Sequence, residues 1–216
     1  MRRMLPIIVT ALFLVCSPGA QAFDDLTDIL EKIKTKERSL KTFTAAFSQT
    51  KETPLLRDPL RSNGMIYFDH RGRLLFQITG PSPVMILFKG GELITRYPDL
   101  GKVERRYIGS GAVRKYFGIG STVEELTQQY HIGLIPPAGE LHYRLTLVPR
   151  DEDMARRIES IEVTIRRDIW LPVSIRLGEG GDDNTAISLD FISINKPLPP
   201  GIFRVNIPQG GDDSGE

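Results

Sequence analysis

The chain has 216 residues, 40% of them hydrophobic and 25% charged, with 28 lysines and arginines against 27 aspartates and glutamates. A formal net charge of +1 with no long run of like charge argues against a nucleic-acid surface or a polybasic membrane patch. The single cysteine, Cys16, falls inside a leader-like segment, so a chain that sheds it has no disulfide, thiol nucleophile or thiolate metal site.

Met1, Arg2 and Arg3 form a basic head, Leu5 to Val15 a short apolar run, and Ala20-Gln21-Ala22 a small-x-small cleavage pattern. A signal peptide over 1–22 is expected, leaving one domain over 23–216. The apolar run is too short for a mature membrane anchor. Val15 before Cys16 fits lipid attachment poorly, because Gly, Ala or Ser normally precedes a lipidated cysteine. Loss of Arg2 and Arg3 leaves 26 basic residues against 27 acidic ones, a net charge of −1.

Phe23 to about Ser48 reads as a helix. Leu26, Ile29, Leu30, Ile33, Leu40, Phe43 and Phe47 recur at three- and four-residue steps. Asp24, Asp25 and Asp28 favour its start through the helix dipole, and the polar stretch Thr35 to Ser39 allows a bend. Pro54 and Pro59 mark a loop. Five strands follow, at about 64–69, 73–79, 83–88, 92–97 and 102–107, separated by RGR, GPSP, KGG and PDLG. Connections this short permit hairpins and exclude helical crossovers, so the five form an antiparallel meander.

Between Gly109 and Tyr130 the period changes, and two short helices are expected around Gly118-Ile119-Gly120, the second capped by Ser121 or Thr122 with Glu124 or Glu125. Strands return at 141–148, 158–167, 170–177, 185–195 and 202–207. Ile161, Val163 and Ile165 alternate there with Glu162, Thr164 and Arg166, the mark of half-solvated strands.

Residues that carry chemistry are few. His70, His131 and His142 show no metal-ligand spacing, and no nucleophile elbow, phosphate loop or dinucleotide fingerprint is present. Asp182-Asp183-Asn184 reads as a solvated hairpin turn before a calcium loop. A glycosidase would need two carboxylates across a cleft, which a single sequence cannot pair. No catalytic, metal or cofactor site is expected. What stands out is apolar excess: Met65 to Phe68, Leu74 to Phe76 and Val84 to Phe88 run without polar breaks. Either helix and second sheet bury both faces, or the sheet curls and leaves an apolar hollow for an acyl chain or similar group.

The order of elements carries a resemblance. Phe43, Phe47 and Gln49 are followed by Gly64, Met65, Ile66, Tyr67 and Phe68. Next come Arg73 to Phe76 with Pro81 five residues on, Gly90-Gly91 with Leu93, then Tyr97-Pro98-Asp99-Leu100, and finally Phe203 to Gly210. This resembles the periplasmic outer-membrane lipoprotein carrier (LolA-like) family over essentially the whole mature chain. The resemblance implies an α+β fold: a strongly curved antiparallel half-barrel sheet, with an N-terminal helix and short lid helices enclosing an apolar cavity. It implies a monomeric periplasmic carrier, not an enzyme, that shelters lipoprotein acyl chains between the membranes. An inner-membrane ABC-type release complex would be the donor and an outer-membrane receptor lipoprotein the acceptor. The lid, or lipid, would cover the second face of the first hairpin.

Carried over by position, the cargo-facing residues are Leu30, Ile33, Phe43 and Phe47 from the first helix, and Ile66, Phe68, Leu74, Phe76, Ile78 and Ile86 from the strands. Val113, Phe117, Val123 and Leu126 come from the lid. Phe76 stands where the family usually has tryptophan. The family's lid-latching arginine falls at His70, and Arg71 beside it is the candidate latch. The alternatives are a carrier of another lipid or hydrophobic molecule, and a periplasmic sensor of mislocalised lipid or lipoprotein.

Overall fold

In the computed structural model the described residues are 25–80, 82–109, 122–135 and 141–204. Helix α1 spans Leu26–Ser39, with the Asp25 side chain accepting from the Asp28 N–H at 2.9 Å and Lys36 and Arg38 in its last turn. Capping and charge thus match the helix dipole at both ends. The strands are β1 (Thr42–Glu52), β2 (Leu60–Asp69), β3 (Arg73–Thr79), β4 (Val84–Lys89), β5 (Glu92–Tyr97), β6 (Lys102–Tyr107), β7 (Tyr130–Ile135), β8 (His142–Pro149), β9 (Ile158–Arg166), β10 (Leu171–Glu179) and β11 (Asp183–Ile194). Helix α2 is Val123–Gln129 and helix α3 is Glu152–Ala155.

All eleven strands form one sheet in the order β6-β5-β4-β3-β2-β1-β11-β10-β9-β8-β7, with every neighbouring pair antiparallel. Two meanders, β1–β6 and β7–β11, are joined through β1 and β11. The sheet is open, with β6 and β7 as edges.

The helix expected over 23–48 is corrected: α1 ends at Ser39 and residues 42–52 are strand β1, so Phe43 and Phe47 belong to the sheet. The reason lies far along the chain. Asn195, at a φ of 56°, accepts the Lys41 N–H at 2.7 Å through Oδ1 and donates through Nδ2 to the Ser39 carbonyl at 2.9 Å. Thr42 Oγ1 donates to the Lys196 carbonyl at 2.7 Å. One asparagine thereby ends the helix and seats the start of β1 beside β11.

Strand β7 was not expected, because α2 runs into it with no turn residue between Gln129 and Tyr130. The charged loop 150–157 contains the short helix α3, capped by Asp151. The strand expected from 202 is corrected too: Ile202 and Phe203 lie in a turn, with the Arg204 N–H donating to the Gly201 carbonyl.

The outer face of the first hairpin is covered from far along the chain. Leu75, Leu87 and Ile94 point away from α1, and Phe203 closes over them, with Leu198 and Ile202 packed alongside. Leu198, Ile202 and Phe203 thus cover this outer face, and the first of the two expected lid helices lies outside the described residues.

Candidate ligand-binding face

Strand alternation puts every second residue on the face that carries α1. Cross-strand register then lines them into rows. Phe43 pairs with Phe68, Phe68 with Leu74, Leu74 with Phe88 and Phe88 with Leu93. One step along, Ala45 pairs with Ile66, Ile66 with Phe76 and Phe76 with Ile86. On the other flank of β1, Ala45 meets Phe191 and Phe47 meets Leu189.

The rings converge. Phe43 stacks on Phe68 at 5.1 Å and meets Phe191 edge-on at 5.4 Å. Phe47 meets Phe76 edge-on at 5.9 Å, although β2 lies between their strands. Strands two apart are separated by about 9.5 Å, so rings that meet across this gap lean inward over a concave surface. Gly64, the residue of β2 beneath them, pairs with both Phe47 and Ile78 and adds no side chain to the gap.

The apolar face divides into two clusters. In the first, Ile29 of α1 is fully buried with Tyr130, Tyr143, Leu145, Leu147 and Ile165; Leu30, Ile33 and Leu126 pack against it half-buried. The second holds buried Phe43, Ala45, Phe47, Ile66, Leu74 and Phe88. Half-buried Phe68, Phe76, Ile78, Ile86, Leu93, Leu189 and Phe191 surround them. Among the described residues, only Leu40 and Ile108 join this second cluster from outside the sheet. Helix α1 therefore seals one half of the concave face and contributes to the other only through Leu40, the residue that caps it.

The residues singled out in the sequence thus fall into two groups. Phe43, Phe47, Ile66, Phe68, Leu74, Phe76, Ile78 and Ile86 come together in the second cluster, while Leu30, Ile33 and Leu126 belong to the first. Val123 is buried at the start of α2. Val113 and Phe117 lie outside the described residues. Sequence reasoning missed Leu93, Leu189 and Phe191. The alternation in β11 was visible, but its pairing with β1 is not a local signal.

Charge holds the margins of this face. Lys34 of α1 pairs with Glu124 of α2, which raises the lysine and lowers the glutamate from their ordinary pKa values. Helix α2 is itself closed by a capping box: Glu125 N–H donates to Thr122 Oγ1 at 3.1 Å and Thr122 N–H to Glu125 Oε2 at 3.0 Å. At the β2–β3 turn Asp69 is buried. Burial pushes its carboxyl up, but the Arg71 backbone N–H at 2.8 Å and the Arg73 guanidinium outweigh that and hold it below its ordinary value. Arg73 also lies over the Phe203 ring at 4.5 Å. Arg71, the candidate latch, stands at this turn with its Nε 3.3 Å from Asp69 Oδ1 and its side chain 71% exposed.

A shallow hollow of about 430 Å³ lies elsewhere, on the polar flank of α1 between Asp28, Glu31, Lys32 and Trp170. Of Asp182, Asp183 and Asn184, the first lies in the β10–β11 turn and the other two begin β11, where Lys51 of β1 pairs with Glu179 at 2.5 Å and Asp183 at 3.7 Å.

A family model described as outer membrane lipoprotein carrier protein LolA matches residues 38–206. An outer-membrane lipoprotein carrier protein of Dechloromonas aromatica (strain RCB) is 26% identical over 209 residues, covering 91% of this chain and 89% of that protein. One from Methylibium petroleiphilum is 25% identical over 187 residues, covering 86% and 88%. Among solved structures, a LolA superfamily protein of Nitrosomonas europaea aligns with a TM-score of 0.40 at 14% identity, covering 82% of this chain and 97% of that one.

Proposed function

This chain belongs to the LolA family of outer membrane lipoprotein carrier proteins, and on that premise we propose that it is a periplasmic carrier holding lipoprotein acyl chains against the concave face of β1–β5. The observation that supports this most is the uneven cover of that face. Phe68, Phe76, Ile78, Ile86, Leu93, Leu189 and Phe191 stay half-buried around a packed floor. Burying each methylene of a guest contributes about 0.8 kcal/mol, so shape and apolarity suffice for retention. No bond is made or broken. The floor residues Ile66 and Leu74 are 2% and 1% exposed, so they support the site and the half-buried ring touches the guest.

Direction would come from differential affinity: a donor that binds cargo more weakly, an acceptor that binds it more tightly. In this reading the donor is an inner-membrane ABC-type release complex and the acceptor an outer-membrane receptor lipoprotein. The α1–α2 pair Lys34–Glu124 ties the sealed half together while the other half loads.

Uptake of an apolar fluorophore, displaced by a synthetic acylated peptide, tests this. Phe76→Glu should weaken uptake by about tenfold or more, since a carboxylate set against the guest is buried without a partner, while circular dichroism shows the variant folded. Where Phe76→Glu does not fold, Ile86→Gln serves. Undiminished uptake in a folded variant would overturn the reading.

A further inference from the structure

Four exposed leucines lie at one end of the sheet, while Tyr107, Leu141 and Ile192 are exposed at the other. In the β1–β2 connection Leu55 is 90% exposed, Leu56 46% and Leu60 54%, and in the β5–β6 turn Leu100 is 75% exposed. In an antiparallel meander these two connections leave from the same end. None of the four leucines belongs to a packed cluster of the described residues. A single exposed leucine is ordinary, but several at one tip mark a contact surface.

The loop is held ready. The Leu56 N–H donates to the Thr53 carbonyl at 3.1 Å and the Leu55 N–H to Thr53 Oγ1 at 3.4 Å. Pro54 and Pro59 fix φ on either side. Exposed Arg57, Asp58 and Arg61 are interleaved with the leucines, the arginines in excess. The tip is also continuous with the concave face. Leu60 pairs with Lys51, and alternation along β2 places Leu60, Ser62, Gly64 and Ile66 on one side.

We propose that this leucine-bearing tip is where the protein rests on a phospholipid bilayer, with Leu55 and Leu56 entering the headgroup–acyl boundary and Leu60 leading inward to the concave face. A specific protein interface buries about 800 Å² on each side, and a loop tip with three leucines does not by itself offer that. A fluid interface needs no shape complement, and paired leucine and arginine side chains suit its apolar and phosphate layers. Contact is peripheral: among the described residues no helix is long and apolar enough to cross a membrane. The purpose of the contact, passing an acyl chain between bilayer and carrier, rests on the carrier reading above; the contact itself does not.

Flotation of the mature full-length chain with vesicles tests it, using phosphatidylcholine alone and phosphatidylcholine with a quarter phosphatidylglycerol. The parent should float with both, more with the anionic set, and Leu55→Asp with Leu56→Asp should cut the bound fraction by about tenfold. These side chains are exposed, so melting and fluorophore uptake should not change. A parent that stays with neither vesicle, or a double variant that floats equally, overturns the proposal. So does a variant that keeps vesicle binding but loses lipoprotein transfer, because the tip would then serve a protein partner. A parent that floats but takes up no fluorophore would sink the carrier reading and leave the bilayer contact standing.

Discussion

Gly64 sits where three strands are pressed together. A Cβ built there meets the Gln77 carbonyl oxygen at 1.9 Å, closer than any side chain tolerates. The glycine lets β2 and β3 approach and leaves the space in which Phe47 and Phe76 meet. Gly64→Ala should cost about 1–3 kcal/mol in denaturant unfolding through forced strand displacement; an unchanged midpoint would show that the hairpin yields easily. Asp69 is the second decisive residue. Its carboxyl is held below the ordinary 3.8, so the unfolded chain binds the proton more readily. Its contribution is therefore full well above pH 4 and is lost as pH falls through the folded value. Asp69→Asn should be less stable at neutral pH by about 1–3 kcal/mol and should lose less on acidification. Equal pH slopes in parent and variant would contradict this.

At the scale of elements, the two faces of the β2–β3–β4 ribbon have different owners. The outer face is closed by Phe203 and its neighbours, the inner one by aromatic packing and whatever the site holds. Phe203→Ala should therefore destabilise by about 3–5 kcal/mol yet leave fluorophore uptake per folded molecule unchanged, the opposite of Phe76→Glu. A loss of uptake in folded Phe203→Ala would mean that the faces are coupled. The meanders were legible because Gly, Pro and Asp punctuate alternating apolar runs. Strand β1 was not. Phe43 and Phe47 are four apart, which fits a helix, and Ala45 between them hides the period of two. What decides is pairing with β2 on one side and, on the other, with β11, where the partner residues lie more than a hundred positions away. The apolar set on β2 and β3 could be read from the sequence, whereas its division into floor and rim could not, since that depends on what α1 covers. The cover of the hairpin's outer face by Leu198, Ile202 and Phe203 was equally hidden, since those residues lie more than a hundred positions along the chain.

At the scale of the molecule, an eleven-stranded open sheet has more apolar face than one helix can seal. Helix α1 buries Ile29 against β8 and β9 and is held to α2 by Lys34 and Glu124. The β1–β5 half keeps its ring of half-buried phenylalanine, isoleucine and leucine. A closed barrel or a two-sheet sandwich would have used those side chains internally. Here they stay half-buried on the concave face, the surface that the proposed carrier role assigns to an apolar guest.

Native mass spectrometry of the exported chain, recovered gently from the periplasm, tests this most directly. A carrier should fly partly as the mature chain plus the mass of an acylated protein, and collisional activation should strip that mass without breaking a covalent bond. Only the bare mature mass, under conditions that preserve adducts of a known lipid binder, would contradict a role in carriage.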